Sequence, residues 1–69
     1  MPYVNIKVTG GMEAPSTEQK AELIQGVTEL LGRVLGKNPE TTVVVIDEVD
    51  TDNWGIGGKS VSERRKEGR

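Results

Sequence analysis

The sequence predicts an α/β fold: a single βαβ unit with parallel strands, then a short C-terminal hairpin, completed by oligomerisation. Three patterns predict it. Val4, Ile6 and Val8 alternate with Tyr3, Asn5 and Lys7, the two-residue period of a strand with one apolar and one mixed face. Leu23, Ile24, Val27, Leu30, Leu31, Val34 and Leu35 recur at spacings of three and four, one apolar stripe of a helix. Thr42, Val43, Val44, Val45 and Ile46 are β-branched throughout and do not alternate, as in a strand buried on both faces. A strand, a helix and a strand of these lengths close right-handedly with both strands parallel in one sheet.

The first strand is expected at residues 3 to 8. The run TGGMEAP, Thr9 to Pro15, holds two adjacent glycines and a proline and ends it. It reads either as a flexible rim of a site or as a plain connector. Ser16 then opens the helix: its hydroxyl can accept from the backbone N–H of Gln19 while the Gln19 side chain reaches back, a capping box. About twenty residues of helix span about 30 Å, and Gly36 supplies the left-handed C-cap. Gly26 and Gly32 inside the helix each cost about 1 kcal/mol relative to Ala, so they mark either close approach of another backbone or simple tolerance.

Past the second strand, Asp47, Glu48, Asp50 and Asp52 form an acidic exit. Their spacing fits no calcium loop and neither His nor Cys is present to help, so a solvated turn is preferred over a metal site. Asn53-Trp54-Gly55-Ile56-Gly57-Gly58 sets one of only two aromatic residues among glycines that permit a tight hairpin. Trp54 reads as core or as the wall of a pocket at a subunit boundary. The tail from Lys59 to Arg69 mixes both signs of charge and reads as a solvated, partly helical end.

A chain of 69 residues without internal repeat is expected to be one domain, 1–69, and at this size folding buries only about 60% of the unfolded surface. Disulfides are excluded without Cys, which leaves association of copies as the remedy for a small core. The single helix covers one face of the sheet, so the other must meet another subunit. A net charge of -2 gives no basic footprint for nucleic acid. No apolar run is long enough for a membrane span and no signal peptide precedes the first strand, so a cytoplasmic location is expected.

Pro2 is the chemically unusual group. If Met1 is removed, Pro2 becomes a secondary amine at the head of a strand, a base that no other residue supplies. While Met1 stays, the same nitrogen is a tertiary amide, neither base nor donor.

These pieces resemble a known family. Met-Pro before a strand, the S-x-E-Q-K helix start (Ser16, Glu18, Gln19, Lys20), V-V-V-I-D-E-V (Val43 to Val49) and D-N-W-G-I-G-G (Asp52 to Gly58) are similar to the 4-oxalocrotonate tautomerase family from Pro2 to about Gly58. The resemblance implies a cofactor-independent isomerase in which Pro2 moves a proton between the oxygen and carbon ends of an enol acid to give the keto acid. A partly apolar pocket would lower the pKa of such an amine. It also implies a homo-oligomer, a hexamer built as a trimer of dimers with pockets at subunit boundaries. Trp54 stands where the family commonly has a pocket-lining Phe. Two arginines that grip a dicarboxylate in the family fall here at Pro15 and Val43, and neither can bind an anion. Lys7, Arg33, Arg64 and Arg65 are the candidate replacement cations, with plain solvation the alternative for each; Lys7, on the mixed face with Tyr3 and Asn5, is placed with Trp54 as a pocket residue. A lysine would not reproduce a bidentate arginine clamp.

The leading expectation is therefore a tautomerase acting on a 2-hydroxy-dienoate or similar enol acid. A hydratase or dehalogenase of the same superfamily, a non-catalytic oligomeric module of the same fold, and nucleic-acid binding through the Arg64 to Arg69 tail are the other readings.

Overall fold

The computed structural model describes residues 1–68; Arg69, the last residue of the expected tail, lies outside them. The element order is strand β1 (Tyr3–Thr9), a 3-10 turn (Gly11–Glu13), helix α1 (Thr17–Leu35), a 3-10 turn (Pro39–Thr41), strand β2 (Val43–Val49), a 3-10 turn (Thr51–Asn53), strands β3 (Gly55–Ile56) and β4 (Lys59–Ser60), and helix α2 (Val61–Lys66). β1 pairs with β2 and β3 with β4. Two compact units result, one from Met1–Ile6 with Pro15–Asp47, the other from Lys7–Ala14 with residues 48–68.

In the first unit the strands run parallel. The Val43 N–H donates to the Pro2 carbonyl at 3.0 Å, which in a regular parallel ladder sets Tyr3 beside Val43 and Asn5 beside Val45. The Asn5 side chain agrees with that register, donating from Nδ2 to the Val45 carbonyl at 3.3 Å and to Asp47 Oδ2 at 2.8 Å. Tyr3 and Asn5 are exposed and Val4 and Ile6 half-buried, so the even-numbered face is the shielded one. α1 is the only α-helix in this unit to shield it. Its start follows the expected chemistry. Ser16 Oγ accepts from the Gln19 N–H at 3.1 Å, and the Ser16 N–H donates to Gln19 Oε1 at 2.9 Å. Gly36 ends it at φ 66° with its N–H on the Gly32 carbonyl.

Three expectations about β2 change here. β2 begins at Val43 rather than Thr42, because the Thr42 N–H is taken by the Pro39 carbonyl closing the preceding turn. It also runs on through Asp47 and Glu48, expected in a solvated acidic exit, to Val49. Nor is the strand buried on both faces within one protomer, since Val43 is exposed and Val44, Val45 and Ile46 are half-buried. A Cβ added at Gly26 would meet nothing within 4 Å, and one at Gly32 only the Lys37 carbonyl at 3.6 Å, so close approach of another backbone is not the reason for Gly26 within the protomer.

In the second unit the Gly10 N–H donates to the Val49 carbonyl at 2.8 Å, keeping the parallel register. The expected hairpin is present: Gly55 faces Ser60 and Ile56 faces Lys59 in antiparallel register. Gly57 (φ 61°) and Gly58 (φ 89°) make the turn, a two-residue connection whose positive φ suits the strand twist. Ser60 caps α2 by accepting from the Glu63 N–H at 3.1 Å. Val61, at 8% exposure, is the one buried hydrophobic side chain among the described residues. No helix among the described residues is long and apolar enough to cross a membrane.

Candidate active site

Pro2 sits half-buried at the head of β1. A proline has no backbone N–H to give a ladder, so its carbonyl makes the one ladder bond it can, to the Val43 N–H. The rung that follows is Tyr3 beside Val43, both exposed, at 64% and 42%. Val43 is one of the two positions where the family resemblance implies an arginine, and the structure sets this aliphatic residue next to Pro2. Pro15, the other, directly precedes the Ser16 cap and is half-buried.

The second unit brings two other expected site residues together. Lys7, Val49, Asn53, Trp54 and Gly55 line one open depression of about 270 Å³. Trp54 is half-buried. Its carbonyl accepts from the Val61 N–H at 2.7 Å, so the backbone carrying the indole is pinned by the first residue of α2. The Thr51 and Ser62 hydroxyls, 2.6 Å apart, tie the same turn to that helix. The depression therefore pairs a flat apolar wall with an ammonium group, a combination suited to a planar organic anion.

A larger depression of about 520 Å³ holds none of the expected site residues except Arg65. Glu13, Glu48 and Asp50 line it together with Arg65, whose Nη2 pairs with the Glu13 carboxylate at 3.0 Å. Three carboxylates against one guanidinium repel a carboxylate ligand, so the smaller depression is the better anion site despite its size. The Thr9 hydroxyl and then Arg65 hold the Glu13 carboxyl below its ordinary value, against a smaller opposing effect of desolvation. This cluster was not foreseen, and a pairing across 52 residues of sequence leaves no local signal.

The remaining cations are placed elsewhere. Arg33 lies in the last turn of α1, Arg64 directs Nη1 to the Ile56 carbonyl at 3.5 Å, and Arg65 is engaged by Glu13. Of the four candidates, Lys7 shares a depression with Trp54. The acidic exit residues are dispersed: Asp47 takes the Asn5 amide and Asp50 accepts from the Asp52 N–H at 3.1 Å. No group of three or more possible ligands among the described residues could hold a metal ion.

The family model for tautomerase enzymes matches residues 2–64, nearly the whole chain. The chain belongs to the tautomerase family. This tautomerase is 63% identical over 67 residues to the probable tautomerase K2 of Dickeya dadantii, with 97% of each chain covered. It is 36% identical to the 2-hydroxymuconate tautomerase of Bacillus subtilis, covering 91% of this chain and 97% of that one. The crystal structure of DmpI from Helicobacter pylori superposes with a TM-score of 0.83 at 48% identity, covering 94% of this chain and 97% of its own. The family match makes this tautomerase an isomerase, and the structural likeness agrees with the β-α-β arrangement and the small hairpin described above.

Proposed function

We propose that this tautomerase ketonises a 2-hydroxy-dienoate or a related enol acid without a cofactor, using the Pro2 amine as general base and then acid once Met1 is removed. The enol O–H proton passes to the Pro2 nitrogen, the C=O bond forms as the double bond shifts, and the distal carbon takes a proton back from the ammonium. No oxidant, reductant or metal is needed to balance the step. One observation carries the reading: the Pro2 carbonyl is held by the Val43 N–H at 3.0 Å, so the residue that would supply the base is part of the sheet and not a loose end. The name of the Bacillus subtilis relative supports a hydroxydienoate as the substrate class.

Trp54 serves as the pocket wall and Lys7 as the cation that polarises or holds the substrate. Residues 1–69 work as one domain in a homo-oligomer, a hexamer built as a trimer of dimers, in the cytoplasm. The assembly is supported by the apolar side chains left exposed in the single protomer, among them Leu30, Val34, Leu35 and Val43.

The test follows the ultraviolet absorbance of 2-hydroxymuconate and of phenylenolpyruvate as each ketonises. Protein shown by mass to start at Pro2 is compared with Pro2→Ala and with protein retaining Met1. A positioned base contributes about 10²- to 10⁴-fold, so both altered forms should lose that much; full rate in either overturns the reading. The uncharged side chains at Pro15 and Val43 favour a second reading, a non-catalytic module of the same fold. Absence of any rate from a correctly processed oligomer supports it.

A further inference from the structure

We infer that Asn53 is a specificity-determining residue, its side-chain amide donating to the oxygen on carbon 2 of the bound enol or keto acid. The inference rests on the reading of the Trp54 and Lys7 depression as the substrate pocket, and it adds the group that reads the reacting oxygen.

Asn53 lines that depression with Lys7, Val49, Trp54 and Gly55, and it is exposed. Its backbone is held on both sides. The Asn53 N–H donates to the Asp50 carbonyl at 2.8 Å, and the next carbonyl along, that of Trp54, accepts from the Val61 N–H. Its amide, by contrast, has no structural task. Of the three asparagines in the chain, Asn5 donates to the Val45 carbonyl and to Asp47, and Asn38 accepts from the Glu40 N–H at 3.0 Å. The Asn53 amide has no hydrogen-bond partner among the described residues. Nor does the turn require an asparagine for its backbone, since only glycines among those residues have positive φ.

The chemistry of the lining assigns the amide. Val49 and Gly55 offer no polar side-chain group, and Trp54 is the wall. Lys7 is the one lining residue with a charge, so its ammonium takes the carboxylate. A 2-hydroxy-dienoate carries its oxygen on the carbon next to that carboxylate, so a group that holds the oxygen must share the depression. Asn53 Nδ2 can donate to the enol oxygen and to the ketone oxygen alike, which an ionised Asp or Glu could not do. As the enol O–H proton leaves, negative charge builds on that oxygen and the hydrogen bond strengthens with it.

The test uses Trp54, the one tryptophan of the chain, as the reporter. Quenching of its fluorescence is titrated with 2-oxopentanoate and with pentanoate, an acid of the same length that lacks the oxygen on carbon 2. Wild type is compared with Asn53→Ala and Asn53→Leu. Wild type should bind the oxo acid about three- to tenfold tighter, the scale of one neutral hydrogen bond. Both variants should lose that preference while binding pentanoate as wild type does. Asn53→Leu keeps the bulk of the side chain, so a loss shared with Asn53→Ala belongs to the amide; if one variant fails to fold by circular dichroism, the other decides. Equal binding of the two acids by wild type, a preference retained in a folded variant, or equal weakening of both acids overturns the Asn53 assignment. Quenching by neither acid overturns the depression as the substrate pocket as well. None of these outcomes depends on turnover, so the Pro2 reading stands or falls separately on the Pro2→Ala rates.

Discussion

Assembly should be worth as much to this protein as its own fold, and the outer stripe of α1 is the place to test it. Leu23, Ile24, Leu30, Val34 and Leu35 remain between 39% and 62% exposed in the single protomer. Full burial of such a side chain contributes about 1.5–3 kcal/mol, so the half still to be gained is about 0.7–1.5 kcal/mol each and about 3.5–7.5 kcal/mol for the five. A domain of this length has a total stability of about 3–10 kcal/mol. Folding and association are then coupled, and the urea midpoint of the wild type should rise with protein concentration. Leu30→Lys with Val34→Lys places two charges one turn apart on that stripe. The double variant should sediment as a smaller species, and its midpoint should no longer depend on concentration. Losing two of the five contributions removes about 1.5–3 kcal/mol, a fall of about 1.5–3 M in midpoint at a slope of about 1 kcal/mol/M. Sedimentation velocity and far-ultraviolet circular dichroism on the same samples read both effects. A monomeric wild type with a fixed midpoint, or a double variant with wild-type mass and midpoint, would refute the reasoning.

Two further outcomes follow from local chemistry. Ser16→Ala leaves the Gln19 N–H without its cap and should cost about 1 kcal/mol, or about 4–8 °C in Tm for a domain of this size. Adding Gln19→Ala should cost less than the sum of the two single changes, because each residue serves the other; additive losses in urea unfolding would argue against the capping box. The Glu13 carboxyl is held below 4.5, chiefly by the Thr9 hydroxyl and next by Arg65. A lowered folded-state value means its contribution to stability is present above about 4.5 and is lost as pH falls through the folded value. Carboxyl NMR titration should show Thr9→Val and Arg65→Ala each bringing Glu13 back toward 4.5, and a wild-type Glu13 titrating at or above 4.5 would contradict this.

The parts of the fold that obey a local rule were legible in one dimension. The capping box at Ser16, the glycine at the end of α1, the alternation of β1 and the double-glycine turn each depend on residues within four positions of one another. The end of β2 was not legible for a physical reason. Asp47 and Glu48 have the composition of a turn, and what makes Asp47 acceptable in a strand is the Asn5 amide 42 residues away. The start of β2 moved because Thr42 spends its N–H on a 3-10 turn, a device with no strong composition. α2 did carry a signal, since Ser60 and Glu63 repeat the S-x-x-E spacing of a helix start, hidden within a tail whose charges suggested solvent. At the candidate site, the head-of-strand position of Pro2 follows from the sequence alone. That Val49 and Asn53 join Lys7 and Trp54 around one depression depends on where the chain turns after β2, which no periodicity encodes.

The tie between the Pro2 carbonyl and β2 divides the labour within a single residue. Chain ends ordinarily fray, and a frayed base would have to be ordered anew at each turnover. Here the carbonyl end of Pro2 is committed to architecture, which leaves the nitrogen end uncommitted. On the Pro2 reading the two ends answer to different events, one to folding and the other to removal of Met1. Any peptide left in front of Pro2 abolishes the amine without disturbing the carbonyl's bond. A sample carrying such an extension would pass every check of shape and assembly and still contain no base, so on the Pro2 reading a silent preparation indicts its N-terminus before it indicts its substrate.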